Sequence, residues 1–254
     1  MALVQGTSER LGPETSFIDS VADLLDRIDC RLANTAEERE KISRLRYQAY
    51  LREAAILPNA SKSFVDRYDD MDNVYLFGLY IEGELASSIR IQVCSREHPH
   101  SPSLDAFRDV LQPKLDAGTV VIDATRFVAD EELSKRFRAL PYATVRLNWL
   151  AAGYFANGYS VAAVRPEHVP FYRRTFGLRL ICDARPYPNL TKPLCLLGSD
   201  YQSVADYVHQ RYPFFRSTFF ERRMLFERSA PQAATQPQRQ LAPVVKLEAP
   251  PLAG

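Results

Sequence analysis

Asp123, Thr125 and Arg126 interrupt Val120–Phe127, a β-branched run that otherwise reads as a buried central strand. A charge in such a strand is costly unless it is paired. Strand alternation places Asp123 and Thr125 on one face and Arg126 on the other. Arg90 is the same anomaly in the preceding strand. Upstream, Asp66-Arg67-Tyr68-Asp69-Asp70-Met71-Asp72 gathers four carboxylates in seven residues. Two readings stay open. The aspartates and arginines form a buried ion-pair network, or they form a functional site whose pKa values are set by burial and pairing. Arg46 and Tyr50 stand four apart and so share a helix face. They are a candidate for chemistry, the alternative being an exposed arginine beside a packing tyrosine.

Glu167-His-Val-Pro-Phe-Tyr-Arg-Arg-Thr-Phe-Gly-Leu is the other distinctive stretch. A strand ends, a short helix carries Phe171 and Tyr172, and Phe176-Gly177 leads into the next strand. Other signals are weak. The acidic loop lacks the glycine and terminal glutamate of a calcium loop, and His98 and His100 stand in a polar loop, so no metal site is expected. There is no G-x-S-x-G elbow, no G-x-G-x-x-G and no phosphate-binding loop, which disfavours serine hydrolases, nucleotide-dependent oxidoreductases and kinases.

The elements that must position these residues follow from periodicity. Apolar spacing predicts a helix over Phe17–Ile28 and a short strand over Asp29–Ala33. Thr35 with Glu38 is a capping box that opens a helix over Ala36–Glu53. Val74–Ile81 and Leu85–Val93 flank a Glu-Gly-Glu turn and read as a hairpin. Leu104–Leu115 reads as a helix, Thr119–Ala129 as the central strand, and Ser134–Pro141 as a basic loop. Pro141–Asn157 is a buried helix with Gly158 as its C-cap. Strand Ser160–Val164, helix Glu167–Phe176, strands Leu178–Cys182 and Pro193–Leu197, and helices Tyr201–Tyr212 and Ser217–Glu227 complete the order. This is an α/β (α+β) pattern, a mixed sheet with helices on both faces.

The chain has 254 residues, with 32 Lys plus Arg against 31 Asp plus Glu. That balance argues against a nucleic-acid binder. It hides a local excess, however: residues 131–180 carry eight basic and three acidic side chains, enough to meet an acidic partner. No apolar run is long enough to cross a bilayer, and Met1–Glu14 has no secretory pattern. Cys30, Cys94, Cys182 and Cys195 lie far apart and read as reduced thiols. A cytoplasmic protein without stable membrane insertion is therefore expected. Residues 229–254 hold five prolines, four glutamines and no aromatic residue. They read as a disordered tail, with a short docking element around Leu241–Leu247 as the alternative. Residues 1–14 read as a flexible N-terminus, leaving one domain over 15–228.

The segment Phe171-Tyr172-Arg173-Arg174-Thr175-Phe176-Gly177 resembles the last motif of the GNAT acyltransferase superfamily. Arg46 and Tyr50, Asp66 and Asp69, Arg90, and Asp123-Ala-Thr125-Arg126-Phe127 resemble, in order, the N-terminal half of the acyl-homoserine-lactone autoinducer synthases. Asp123 stands where that family has Glu, Thr125 where it has Ser, and its early Trp is absent. Arg165-Pro-Glu-His168 and Arg185-Pro-Tyr-Pro look more like the related long-chain N-acyl amino acid synthases of the N-acyltyrosine synthase type. That resemblance spans residues 30–200.

The resemblance implies a GNAT fold and transfer of a fatty acyl group from an acyl carrier protein to the α-amine of a free amino acid. No cofactor would be permanently bound; an acyl-phosphopantetheine would be the donor. Asp123, or a water it holds, would take the amine proton. Backbone N–H groups around Phe127, Val128 and Ala129 would polarise the thioester carbonyl. Tyr172 would protonate the thiolate. Arg46, Asp66, Asp69, Arg90, Thr125 and Arg126 would shape the site, with one arginine left for the substrate carboxylate. Arg136 and Arg138 would meet the phosphopantetheine phosphate. Their stretch has no glycine where coenzyme A-dependent relatives have a glycine-rich loop, which favours a carrier protein. The lipid product implies at most transient membrane contact. Three alternatives remain: an autoinducer synthase, an acetyl-CoA-dependent N-acetyltransferase, and a non-catalytic acyl-binding module.

Overall fold

The computed structural model describes residues 13–155 and 158–227. The 229–254 tail, including Leu241–Leu247, and residues 1–12 lie outside the described residues. Helix α1 (Pro13–Leu25) ends before Ile28, which instead opens strand β1 (Ile28–Leu32) opposite Ile81. Helix α2 (Ala36–Arg52) starts at the expected capping box: Thr35 accepts from the Glu38 amide, and Glu38 returns the bond. Strands β2 (Val74–Ile81) and β3 (Glu84–Cys94) form the expected hairpin.

The expected helix over 104–115 is broken in two, α3 (Pro102–Ala106) and α4 (Arg108–Asp116). Phe107 leaves helical geometry (φ −129°, ψ 40°) at the break, and its ring is wholly buried. After β4 (Val121–Ala129), the expected basic loop is partly helical, α5 (Glu131–Arg136) capped by Asp130. The long buried helix α6 (Leu140–Tyr154) comes next. Gly158 is not its C-cap; Phe155 is. Gly158 serves close packing instead, because a Cβ there would sit 2.6 Å from Ile122 Cγ1.

Strand β5 (Tyr159–Val164), one 3-10 turn (Pro166–His168) and helix α7 (Val169–Phe176) follow, with Gly177 closing α7 in the left-handed region (φ 63°). Strands β6 (Arg179–Arg185) and β7 (Leu194–Asp200), helix α8 (Tyr201–Arg211) and helix α9 (Phe219–Phe226) end the described chain.

The seven strands lie in the order β1-β2-β3-β4-β5-β7-β6. Among the described residues, only β4 and β5 run parallel. On one face, α1, α6, α8 and α9 bury the main core, with Phe77, Ile89, Ile122 and Trp149 inside it. On the other face, α3 and α4 pack Leu104, Leu111 and Leu115 against Val121 and Val161, and α2 packs Leu45 and Ala49 against Val128. Two irregularities of β4 open this fold to chemistry. The β4–β5 ladder stops at Ala124 opposite Ala162, so residues 125–129 continue without a β5 partner. The β3–β4 ladder slips between Arg90–Thr125 and Ser88–Val128, where β4 carries one extra residue. That bulge holds Arg126 at φ +55°.

Candidate active site

The bulge corrects the expected facing of Arg126. Simple alternation sends it away from Thr125, but the extra residue returns it to the face that carries Arg90. Arg126 Nε and Nη2 both donate to Asp66 Oδ2, at 3.0 and 2.7 Å. Arg90 Nη1 donates to Asp66 Oδ1 at 2.5 Å and to Asp69 Oδ1 at 3.0 Å. Arg46 Nη1 reaches both oxygens of Asp69 at 2.9 Å. Arg46 is therefore buried, not exposed. The Asp66–Asp72 loop divides likewise: the Asp66 and Asp69 side chains point inward to guanidiniums, while Asp70 and Asp72 are exposed.

Three guanidiniums face two carboxylates, so this buried cluster carries net positive charge. Arg46 Nε and Nη2 and Arg90 Nη2 are buried without a hydrogen-bond partner among the described residues. Burial pushes the Asp66 pKa upward, but the Arg90 and Arg126 charges outweigh it and hold the carboxyl down at about 2. Asp69 is lowered in the same way, burial being overcome by Arg46 and Arg90. The guanidinium of Arg126 also lies 4.8 Å from the Phe64 ring centre.

A cavity of about 570 Å³ opens where β4 and β5 part. Thr125, Arg126, Phe127, Val128 and Ala129 of β4 line it, with Val164 of β5, Pro141 and Tyr142 of α6, and Phe171 and Tyr172 of α7. Tyr50 of α2 closes one side, and the β6–β7 connection contributes Tyr187, Leu190 and Lys192. The walls are mostly apolar, and polar groups gather on few positions. Tyr172 makes no hydrogen bond among the described residues. Burial raises its pKa well above the ordinary phenol value, and the neighbouring Tyr50 adds to this. It stays protonated at neutral pH.

Asp123 does not line this cavity. Its side chain is fully buried behind the wall, where Ser103 Oγ donates to Oδ1 at 2.7 Å and the Ser103 amide donates to Oδ2 at 3.2 Å. Burial raises its pKa; bonds from Ser101 and Ser103 and the Arg90 charge pull partly back. Thr125 faces the cavity and accepts from Arg90 Nε at 3.0 Å. Arg136, the last residue of α5, and Arg138, between α5 and α6, are exposed, and neither lines the cavity.

Some site residues carry no individual signal in the sequence. His168 lines the cavity, and its Nε2 lies 3.1 Å from Arg165 Nη2. Burial and then the Arg165 charge lower its pKa, so the ring is neutral at pH 7. Arg165 is shared with Glu53 at 3.1 Å. Ser103 falls in a stretch whose sequence reads as a polar loop, but in the structure it lies in α3. Arg165, His168 and Tyr187 lie within motifs, and only three-dimensional placement gives them a site.

Known proteins resemble this chain in sequence and in fold. The family model described as N-acyl amino acid synthase FeeM matches residues 41–200. Among solved structures, FeeM, an N-acyl amino acid synthase from uncultured soil microbes, superimposes with a TM-score of 0.58 at 18% identity, over 72% of this chain and 98% of that one. The coenzyme A-dependent acyl-homoserine lactone synthase BjaI gives 0.48 at 15% identity over 74% and 89% of the two chains. An acyl-CoA N-acyltransferase from Pseudomonas aeruginosa gives 0.47 at 15% identity over 67% and 97%. No curated protein sequence matches the chain significantly. The family match covers more than half of the sequence, and the sheet that splits between its parallel strands is the GNAT acyltransferase fold. The chain belongs to the FeeM family of N-acyl amino acid synthases and is an N-acyltransferase.

Proposed function

We propose that this enzyme moves a long-chain fatty acyl group from an acyl carrier protein thioester to the α-amine of a free amino acid. One observation carries the reading. A single cavity combines apolar walls from β4, β5, α6 and α7 with Arg126, whose Nε and Nη2 are held by Asp66 and Pro188 and whose Nη1 makes no hydrogen bond among the described residues. An alkyl chain suits the walls. A carboxylate suits Arg126, which sits in a cluster with more guanidiniums than carboxylates. The thioester carbonyl lies along residues 127–129, where β4 has lost its β5 partner and can offer backbone N–H groups. Asp123 is the final acceptor of the amine proton, and its raised pKa suits that task. Tyr172, protonated and unbonded, gives its proton to the departing thiolate.

The choice of carrier protein over coenzyme A rests on the surface before α6, where Arg136 and Arg138 are exposed, make no ion pair among the described residues and have no glycine-rich loop beside them. Such a surface fits an acidic protein carrying its phosphopantetheine into the cavity. This reading places the reaction in the cytoplasm, with residues 15–228 as the catalytic unit.

The test gives the purified full chain palmitoyl carrier protein, or palmitoyl coenzyme A, with each amino acid, and reads N-acyl products by mass spectrometry. Product from the carrier protein at higher kcat/KM than from coenzyme A supports the proposal. No product from any pairing overturns it. A lactone made with S-adenosylmethionine would move the enzyme to the autoinducer class.

A further inference from the structure

Asp123 is placed to hold a proton but not to touch a substrate, because its side chain is fully buried and absent from the cavity wall. A hydrogen-bonded route joins the two. Asp123 Oδ1 accepts from Ser103 Oγ at 2.7 Å, and Ser103 Oγ lies 3.1 Å from Tyr187 Oη. Tyr187 lines the cavity. The proton inventory fixes the direction of this chain. An ionised carboxylate can only accept, so the single Ser103 hydroxyl proton goes to Asp123. Ser103 Oγ then has only lone pairs for Tyr187, so the Tyr187 hydroxyl donates to it. The remaining lone pair of Tyr187 Oη is left to accept from a substrate. The other polar neighbours cannot replace this route. Ser101 also bonds to Asp123, but its Oγ accepts from the Leu104 amide and it does not line the cavity. Arg90 faces Asp123 but is a cation with no acceptor, Cys94 is a buried thiol whose pKa burial raises, and Thr125 bonds to Arg90.

We infer that Tyr187 is a further catalytic residue, which receives the proton of the attacking amine and relays it through Ser103 to Asp123. The step balances. The amine attacks in its neutral form, its ammonium proton having passed to solvent beforehand; as nitrogen bonds to the thioester carbon, one N–H proton passes to Tyr187 Oη. The Tyr187 proton passes to Ser103 Oγ, and the Ser103 proton to the Asp123 carboxylate. The C–S bond breaks with its electron pair on sulfur, and Tyr172 supplies the thiol proton. Asp123 then loses a proton to solvent and Tyr172 regains one. The inference rests on the proposed acyl transfer, and it gives Ser103 and Asp123 positioning roles that act through Tyr187.

The test measures single-turnover amide formation by the full chain, with palmitoyl carrier protein and the amino acid that gives most product. Tyr187→Phe keeps the ring and removes only the hydroxyl; it should lower the rate about 10²-fold with the donor KM within about two-fold. Ser103→Ala should match it, and the double variant should be no slower than either single one. Ser103→Thr should restore most of the rate, and the wild-type dependence on D₂O fraction should be curved but straight in Tyr187→Phe. Thermal melts identify any variant that fails to fold, and Tyr187→Phe alone decides if Ser103→Ala does. Wild-type turnover with an unchanged rate in Tyr187→Phe, or losses that multiply in the double variant, would overturn the relay alone. A wild-type enzyme without N-acyl product would remove the acyl-transfer reading and the relay with it.

Discussion

Asp66 accepts two hydrogen bonds from Arg126 on one oxygen, at 3.0 and 2.7 Å, across sixty residues of chain. Its other oxygen is taken by Arg90. One carboxylate thus ties the loop after α2 to both β3 and the β4 bulge. The bulge is what delivers Arg126 to the cavity, so this ion pair fixes the site as well as the fold.

Removing one partner of such a buried pair leaves an uncompensated charge. Asp66→Asn should cost about 3–5 kcal/mol of stability, read as a shift of the urea midpoint at unchanged slope. Asp70→Asn, whose only ion pair among the described residues is an exposed one with Arg39, should change it by less than about 1 kcal/mol.

Acid sensitivity should trace to the same carboxylates. The folded-state pKa of Asp66 is depressed to about 2, and that of Asp69 is also lowered. Their stabilisation is complete above the unfolded aspartate value and is lost as pH falls from about 4 towards 2. Urea melts across that window should show a steep loss for wild type and a shallower one for Asp66→Asn.

Asp123 should contribute with the opposite sign. Its folded pKa is raised by burial, so the native state holds this proton more tightly than the unfolded chain does. As pH rises above the ordinary aspartate value, wild type should lose stability relative to Asp123→Asn. The same variant should form amide at least about 10²-fold more slowly. A stability difference independent of pH would show that Asp123 is not perturbed.

Gly158→Ala should destabilise by about 1–3 kcal/mol, because the new methyl meets Ile122 Cγ1 at 2.6 Å in a central strand. Ile122→Ala in the same chain should recover part of that loss, and the interaction energy of the double-mutant cycle measures how much.

Arg136→Ala with Arg138→Ala should raise KM for palmitoyl carrier protein several-fold while leaving the amino acid KM unchanged. The rise should shrink with added salt, since the interaction is between exposed charges. Equal KM values at low salt would place the carrier protein elsewhere.

The strand order up to β5, the hairpin and the capping box of α2 are legible because periodicity and local chemistry specify them. Arg90 and Arg126 are legible as anomalies, since charges in apolar strands need partners. The facing of Arg126 is not. A one-residue bulge leaves no mark in a β-branched run, and it reverses parity for everything beyond it. The break at Phe107 is hidden because the flanking residues keep helical spacing. Gly158 reads as a helix end because a glycine after a helix has two uses, and only the distance to Ile122 distinguishes them. Ser103 is invisible because a serine in a polar loop carries no signal until the fold sets it against a buried carboxylate.

The strand order also bears on how this enzyme can diversify. β6 lies outside β7 at the sheet edge, so the connection between them, residues 186–193, departs from the rim and returns across the cavity. It brings Tyr187, Leu190 and Lys192 without forming part of any strand. A peripheral segment of this kind can be exchanged or lengthened while the central ladder keeps its register. The catalyst is in this respect a fixed engine with a replaceable faceplate. Grafts that alter acceptor preference should succeed most often when they keep a hydroxyl-bearing ring at position 187.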